Sequence, residues 1–117
     1  MHKYEDLKVY QKALVYTIEV RTVTKDFPKD ELYTLTSQLK RAVDSIVLNI
    51  AEGAGNYSDK EFARFLSYSV RSGFECKACV DIAFTNGFID EKTKRRLKDD
   101  ANEIVAMLNG LYKSLDT

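Results

Sequence analysis

The chain is poor in the residues that perform chemistry. Its 117 residues include one histidine, two cysteines and no tryptophan. The lone histidine, His2, lies in an N-terminal stretch expected to be loose, so no serine or cysteine has a base to activate it and zinc lacks a ligand set. No Glu-x-x-His pair is present, which excludes the di-metal centres that helical bundles carry. Gly53-Ala54-Gly55 is not followed by Lys-Ser or by a Gly-x-x-Gly, so no phosphate loop is present. These absences predict a protein that is not an enzyme, binds no cofactor or metal and has no small-molecule substrate.

Proline occurs once, at Pro28, and glycine five times. Folds of many short strands need more of both at their turns, so the scarcity favours long helices. No run approaches the ~18 apolar residues that span a bilayer. The opening Met1-His2-Lys3-Tyr4-Glu5-Asp6 lacks the apolar stretch of a signal peptide, so a cytoplasmic protein with no membrane association is expected. Charge of one sign is also missing, because eighteen Lys and Arg balance eighteen Asp and Glu. Proteins that grip a phosphate backbone strongly usually carry a basic excess. Balance therefore counts against strong non-specific nucleic-acid binding by a monomer.

What is present is helical periodicity in four stretches. Residues 5–25 place Leu7, Tyr10, Leu14 and Ile18 on one face, flanked by Ala13 and Val20. The stretch stops at Asp26-Phe27-Pro28, because proline disfavours a helical predecessor. From Asp30 to Glu52 the stripe is Leu32, Leu35, Leu39, Ala42, Val43, Ile46 and Ile50, opened by Asp30 and Glu31 as favourable N-terminal charges. Gly53-Ala54-Gly55-Asn56 should end it through residues tolerant of positive φ. A third helix opens on Ser58-Asp59-Lys60-Glu61, a capping box, and runs through Phe62, Phe65, Leu66, Ser69, Gly73, Cys76, Val80 and Ala83 to Asn86-Gly87. The fourth begins near Asp90, with Leu97, Ala101, Ile104, Leu108, Leu111 and Leu115 at alternating four- and three-residue steps, widened by Val105 and Tyr112. Short connections make neighbours antiparallel. The expected fold is all-α, an antiparallel up-down-up-down four-helix bundle forming one domain over residues 1–117.

Four features stand apart from the core stripes. Cys76-Lys77-Ala78-Cys79 has redox or zinc spacing, but it lies deep in the third helix rather than at an N-terminus where the dipole stabilises thiolate. Two small apolar residues on a packed face is the expected reading. The second helix bears a polar stripe, Gln38, Arg41, Ser45, Asn49 and Glu52. Antiparallel pairing brings Arg41 near Ser72 and Glu75, and an Arg41–Glu75 ion pair is expected to fix helix register or line a subunit contact. Lys92, Lys94, Arg95, Arg96 and Lys98 oppose the macrodipole at the start of the last helix. That placement makes them candidates for phosphate contact, although Arg95–Asp99 and Arg96–Asp100 pairs would neutralise part of the charge. Seven tyrosines and six phenylalanines exceed what one small core needs. Val9, Tyr16, Val23 and Phe74 fall outside or beside the stripes, and that surplus points to a second buried face and self-association.

The run from Gln38 to Gly53, with Ser45-Ile46-Val47-Leu48-Asn49-Ile50-Ala51-Glu52-Gly53 as its most specific part, resembles the signature of the four-helix-bundle proteins of the 23S rRNA intervening-sequence family. Leu7-Lys8-Val9-Tyr10 with Ala13, Phe27-Pro28 with Glu31 and Leu35, Ser58 to Phe62, Phe65, Leu66, Ser72, Glu75 and Gly87-Phe88-Ile89 extend the resemblance over nearly the whole chain. Tyr10 stands where tryptophan is more usual, and Arg71 where glycine is common. The family includes proteins encoded within insertions of bacterial large-subunit rRNA, free-standing relatives and the accessory variability protein of diversity-generating retroelements. The resemblance implies a homopentameric, non-enzymatic bundle that contacts RNA or a ribonucleoprotein. Gln38, Arg41, Ser45, Asn49, Glu52, Ser72 and Glu75 occupy the motif's polar positions, and Arg41, Lys94, Arg95 and Lys98 are the candidate phosphate contacts. Zero net charge supports a different reading, an adaptor whose partner is another polypeptide.

Overall fold

Four helices account for most of the chain in the computed structural model, which describes residues 1–117 and contains no strand. They are α1 (Lys8–Thr24), α2 (Leu35–Ala54), α3 (Asp59–Thr85) and α4 (Glu91–Ser114), with short 3-10 turns at Tyr4–Asp6 and Lys29–Glu31. Packing joins α1 to α2, α2 to α3, α3 to α4 and α4 back to α1, the adjacency of a bundle. One cluster of 24 buried apolar residues fills its centre. No helix is long and apolar enough to cross a membrane.

The helix ends show which local signals decided them. Ser58 Oγ accepts from the Glu61 backbone N–H at 3.2 Å, while the Glu61 carboxylate turns to Arg64 at 2.7 Å, so one half of the expected capping box forms. Asp90 caps α4 by accepting from the Thr93 N–H at 2.7 Å. At the end of α3 the N–H groups of Phe88 and Gly87 donate to Ala83 and Phe84 carbonyls at 2.8 and 3.0 Å. This Schellman closure needs a left-handed residue, and Gly87 supplies it with φ +78°. The end of α2 works differently. Gly55 has φ −77°, so positive φ plays no part there. Instead Gly53 lets α3 approach: a Cβ at this position would lie 2.7 Å from Phe65 Cβ and 2.9 Å from the Phe62 ring.

Three expectations about the core are corrected. On α1 the buried apolar residues are Val9, Ala13, Tyr16, Val20 and Val23, whereas Leu14 and Ile18 are 41% and 65% exposed. The buried set steps by four, three, four and three. A tyrosine at its centre is tolerated because its hydroxyl donates to the Leu97 carbonyl of α4 at 2.8 Å. The second correction concerns α2, which starts at Leu35 rather than Asp30. Asp30 and Glu31 sit in a 3-10 turn after Pro28, leaving Leu32 half exposed. Tyr112 is likewise exposed rather than widening the α4 seam.

The N-terminus is tied down rather than loose. The His2 N–H donates to the Ala54 carbonyl at 2.8 Å, and its ring lies 2.9 Å from Asp59 and 4.9 Å from the Phe62 ring. Replacing Tyr16 by Phe should cost about 1 kcal/mol, the net worth of one buried hydrogen bond. Urea unfolding would read it as a lower midpoint with an unchanged slope.

Candidate functional site

Five of the seven polar motif residues form a seam where α2 meets α3. Gln38 Nε2 donates to Glu75 Oε2 at 2.6 Å. Ser72 Oγ donates to Ser45 Oγ at 2.9 Å, and Asn49 Nδ2 donates to the Ser45 carbonyl at 2.9 Å and to its Oγ at 3.0 Å. One turn further, the buried Ser69 hydroxyl donates to the Ile46 carbonyl at 3.0 Å. Helical spacing aligns these groups, because residues 38, 45 and 49 of α2 lie on the edge that meets 72 and 75 of α3. The small side chains Ser45, Ser69 and Ser72 let the backbones approach, and the directed bonds hold the two helices in one register.

The expected Arg41–Glu75 ion pair does not form. Gln38 takes the Glu75 carboxylate, and Arg41 stays exposed with no carboxylate partner. Arg41 lies at the rim of an open groove of about 520 Å3 whose wall includes Tyr33, Leu35, Gln38, Glu75 and Ile82. Glu52 is also exposed, away from the seam. The groove offers a guanidinium, a carboxamide and a carboxylate beside apolar walls. That set suits directed hydrogen bonding to a partner.

Three of the five cations in the basic run of α4 are engaged within the molecule. Arg95 pairs with Glu91 at 3.0 Å rather than with Asp99, and Lys98 pairs across to Asp81 of α3 at 2.6 Å. Lys94 Nζ sits 4.3 Å from the centre of the Phe84 ring. The two ion pairs offset part of the charge that opposes the helix dipole, while Lys94 keeps its charge over the ring. Cys76 and Cys79 are buried in the core. Burial raises both thiols, Cys79 to about 11, which opposes thiolate chemistry.

Sequence reasoning missed two arrangements. On the α1–α4 side, Glu19 faces Asp100, with Lys12 at 3.9 Å from Asp100 and 3.1 Å from Glu103. Burial, followed by the hydrogen bond and charge of Asp100, raises the Glu19 carboxyl to about 7. On the outer face of α3, the Arg64 and Arg71 guanidiniums lie 5.6 and 5.4 Å from the centre of the Tyr68 ring. Arg64 is also 5.2 Å from Phe65, and Lys77 is 4.3 Å from Phe74. A four- and three-residue spacing of cations and aromatics from 64 to 77 is the signal that would have found this row.

No curated protein matches the chain. Among solved structures, a protein of unknown function from the S23 ribosomal protein family of Bacteroides thetaiotaomicron superimposes with a TM-score of 0.84. The match is at 20% identity over 91% of this chain and 96% of that one, and at such identity it speaks for the fold alone. The model of the 23S rRNA-intervening sequence proteins matches residues 5–110, a span that contains the whole α2–α3 seam. The chain belongs to the 23S rRNA-intervening sequence protein family.

Proposed function

We propose that this protein is a non-enzymatic, homo-oligomeric helical scaffold of the cytoplasm that binds RNA or a ribonucleoprotein. Its helices alternate in direction as an antiparallel up-down-up-down bundle. Supporting that topology, pairings between α2 and α3 run in opposite order, with 46 meeting 69, 45 meeting 72 and 38 meeting 75.

One observation carries the self-association. Leu14, Val15 and Ile18 of α1 are 41%, 55% and 65% exposed, and Leu48 of α2 is 58% exposed. Leu14 and Leu48 border one shallow depression between the two helices. An apolar ridge of this kind is costly to leave in water and marks a contact between proteins. A second apolar concavity is the α2–α3 groove of Tyr33, Leu35 and Ile82. Seating the ridge of one copy in the groove of the next is a head-to-tail contact, which closes into a ring when the rotation permits. A pentamer is the ring that the family resemblance implies.

Light scattering on the eluting peak should give five times the 13.4 kDa chain mass. The double variant Leu14→Glu/Ile18→Glu should run as a helical monomer. A wild-type mass of one chain would remove the oligomer. For RNA, filter retention of structured RNA at low salt is expected to fall steeply as salt rises, and no retention at low salt would remove the RNA reading.

The net charge of zero favours a second reading, an adaptor between polypeptides with no nucleic-acid contact. Affinity capture of one protein partner that survives nuclease treatment would support it over the first.

A further inference from the structure

The geometry points to the outer face of α3 as a binding surface for unpaired, single-stranded RNA, with Tyr68 and Phe74 as stacking platforms and Arg71 and Lys77 as phosphate contacts. This inference rests on the RNA reading above and places it on a different helix from the basic run of α4.

Count alone hides the surface. Residues 58–88 hold four basic and four acidic side chains, and the two signs are engaged unequally. Three of the four carboxylates have a cationic or imidazole partner: Asp59 lies against His2, Glu61 pairs with Arg64, and Asp81 pairs with Lys98 of α4, while Glu75, exposed beside Phe74, accepts from the neutral amide of Gln38. Arg71 and Lys77 have no carboxylate partner, and their cationic groups rest on Tyr68 and Phe74 instead. Phe74 is 53% exposed, although α3 has a full core face on its other side. Nothing within the bundle requires a phenylalanine there.

A cation laid over an aromatic ring is held in place without being neutralised. Tyr68 lies near two guanidiniums at once, and Arg64 Nη1 donates to its hydroxyl at 2.7 Å. Arginine planes and aromatic rings are the two surfaces on which splayed bases stack, and the positive charges beside them meet the phosphates. From residue 64 to residue 77 the row extends about 20 Å at 1.5 Å per residue, enough for a short run of nucleotides. Duplex RNA conceals its base faces and would use the cations alone. Stacking therefore separates single strand from duplex.

The test is fluorescence anisotropy of the intact protein with a labelled, unstructured mixed-sequence 20-nucleotide RNA, compared with a blunt duplex of equal length. Tighter binding of the single strand is expected. Phe74→Leu should weaken it about tenfold with little change in salt dependence. Arg71→Gln should weaken it and reduce the slope of log affinity against log salt by about 0.7. Lys94→Gln/Arg95→Gln should bind as wild type. Helicity measured by circular dichroism identifies any variant that fails to fold, and Phe74→Tyr, which keeps the stacking face, should restore binding. If no RNA binds the wild type, the RNA reading itself fails. Should RNA bind while the α3 variants match wild type, or should duplex bind as well as single strand, RNA binding survives and this surface is wrong. A polypeptide that occupies the α3 face and is displaced by Phe74→Leu, with RNA unaffected by that change, would likewise overturn it.

Discussion

Gly53→Ala is expected to destabilise the protein by about 2–3 kcal/mol, near the upper range for overpacking a tight core. The added Cβ would meet Phe65 Cβ at 2.7 Å, the Phe62 ring at 2.9 Å and the Phe62 carbonyl oxygen at 3.3 Å. None of these is the free end of a flexible side chain. Phe62 is fully buried, and its backbone belongs to the first turns of α3, so relief requires α2 and α3 to move apart. That movement would strain the seam from Gln38 to Glu75. A thermal melt should show a drop of roughly 10 °C, taking about 4–8 °C per kcal/mol for a small domain. Gly55→Ala is the control, because a Cβ there meets only carbonyl oxygens at 3.6 Å, ordinary contact. Equal melting temperatures for the two variants would show that α3 does not approach at Gly53.

Stability is also expected to fall as pH rises from about 4.5 to about 7, and Glu19→Gln should flatten that dependence. With both carboxyls ionised, Glu19 Oε2 is a buried oxygen without a hydrogen-bond partner. A proton on Glu19 supplies one through Asp100, and the folded carboxyl accordingly titrates near 7 rather than 4.5. The folded state thus holds this proton more tightly than the unfolded chain. Its stabilising contribution is complete below the unfolded value and is lost as pH passes the folded one. Lys12 of α1 and Arg96 of α4 oppose the shift, while Asp100 strengthens it, and Glu103 draws Lys12 aside. After discounting for solvent on the open side of the pair, Glu19→Gln should gain about 1–2 kcal/mol at pH 8 and almost nothing at pH 4. Urea midpoints at the two pH values would check this, and parallel pH profiles for wild type and variant would refute it.

Much of the fold was legible because each helix carries its own boundary chemistry. Pro28, Ser58, Asn86-Gly87 and Asp90 mark ends that the structure places within a residue or two, and the α2 stripe from Leu35 to Ile50 is the buried face. The inward face of α1 was not legible. Two ladders with steps of three and four residues compete on that helix, one rich in leucine and isoleucine and one built around Tyr16. Only the distant Leu97 carbonyl makes the second preferable. The position of the polar seam was legible and its pairing was not, since Gln38 and Arg41 are less than one turn apart and either could reach Glu75. The cation–aromatic row of α3 escaped notice because its members are spread over fourteen positions. The denser run at 92–98 is the more conspicuous in sequence, and two of its five cations, Arg95 and Lys98, are ion-paired within the molecule.

The bond from Tyr16 to Leu97 joins residues 81 apart, and it has a consequence for the chain as it is made. At 5–20 residues per second, α1 emerges from the ribosome roughly 4–16 s before the helix that receives its tyrosine hydroxyl. During that interval the α2–α3 hairpin can form locally, but the inner faces of α1, α2 and α3 have no lid. Nascent chains paused before residue 97 should therefore present a sticky trough to chaperones, and release of the last helix would end that exposure at a stroke.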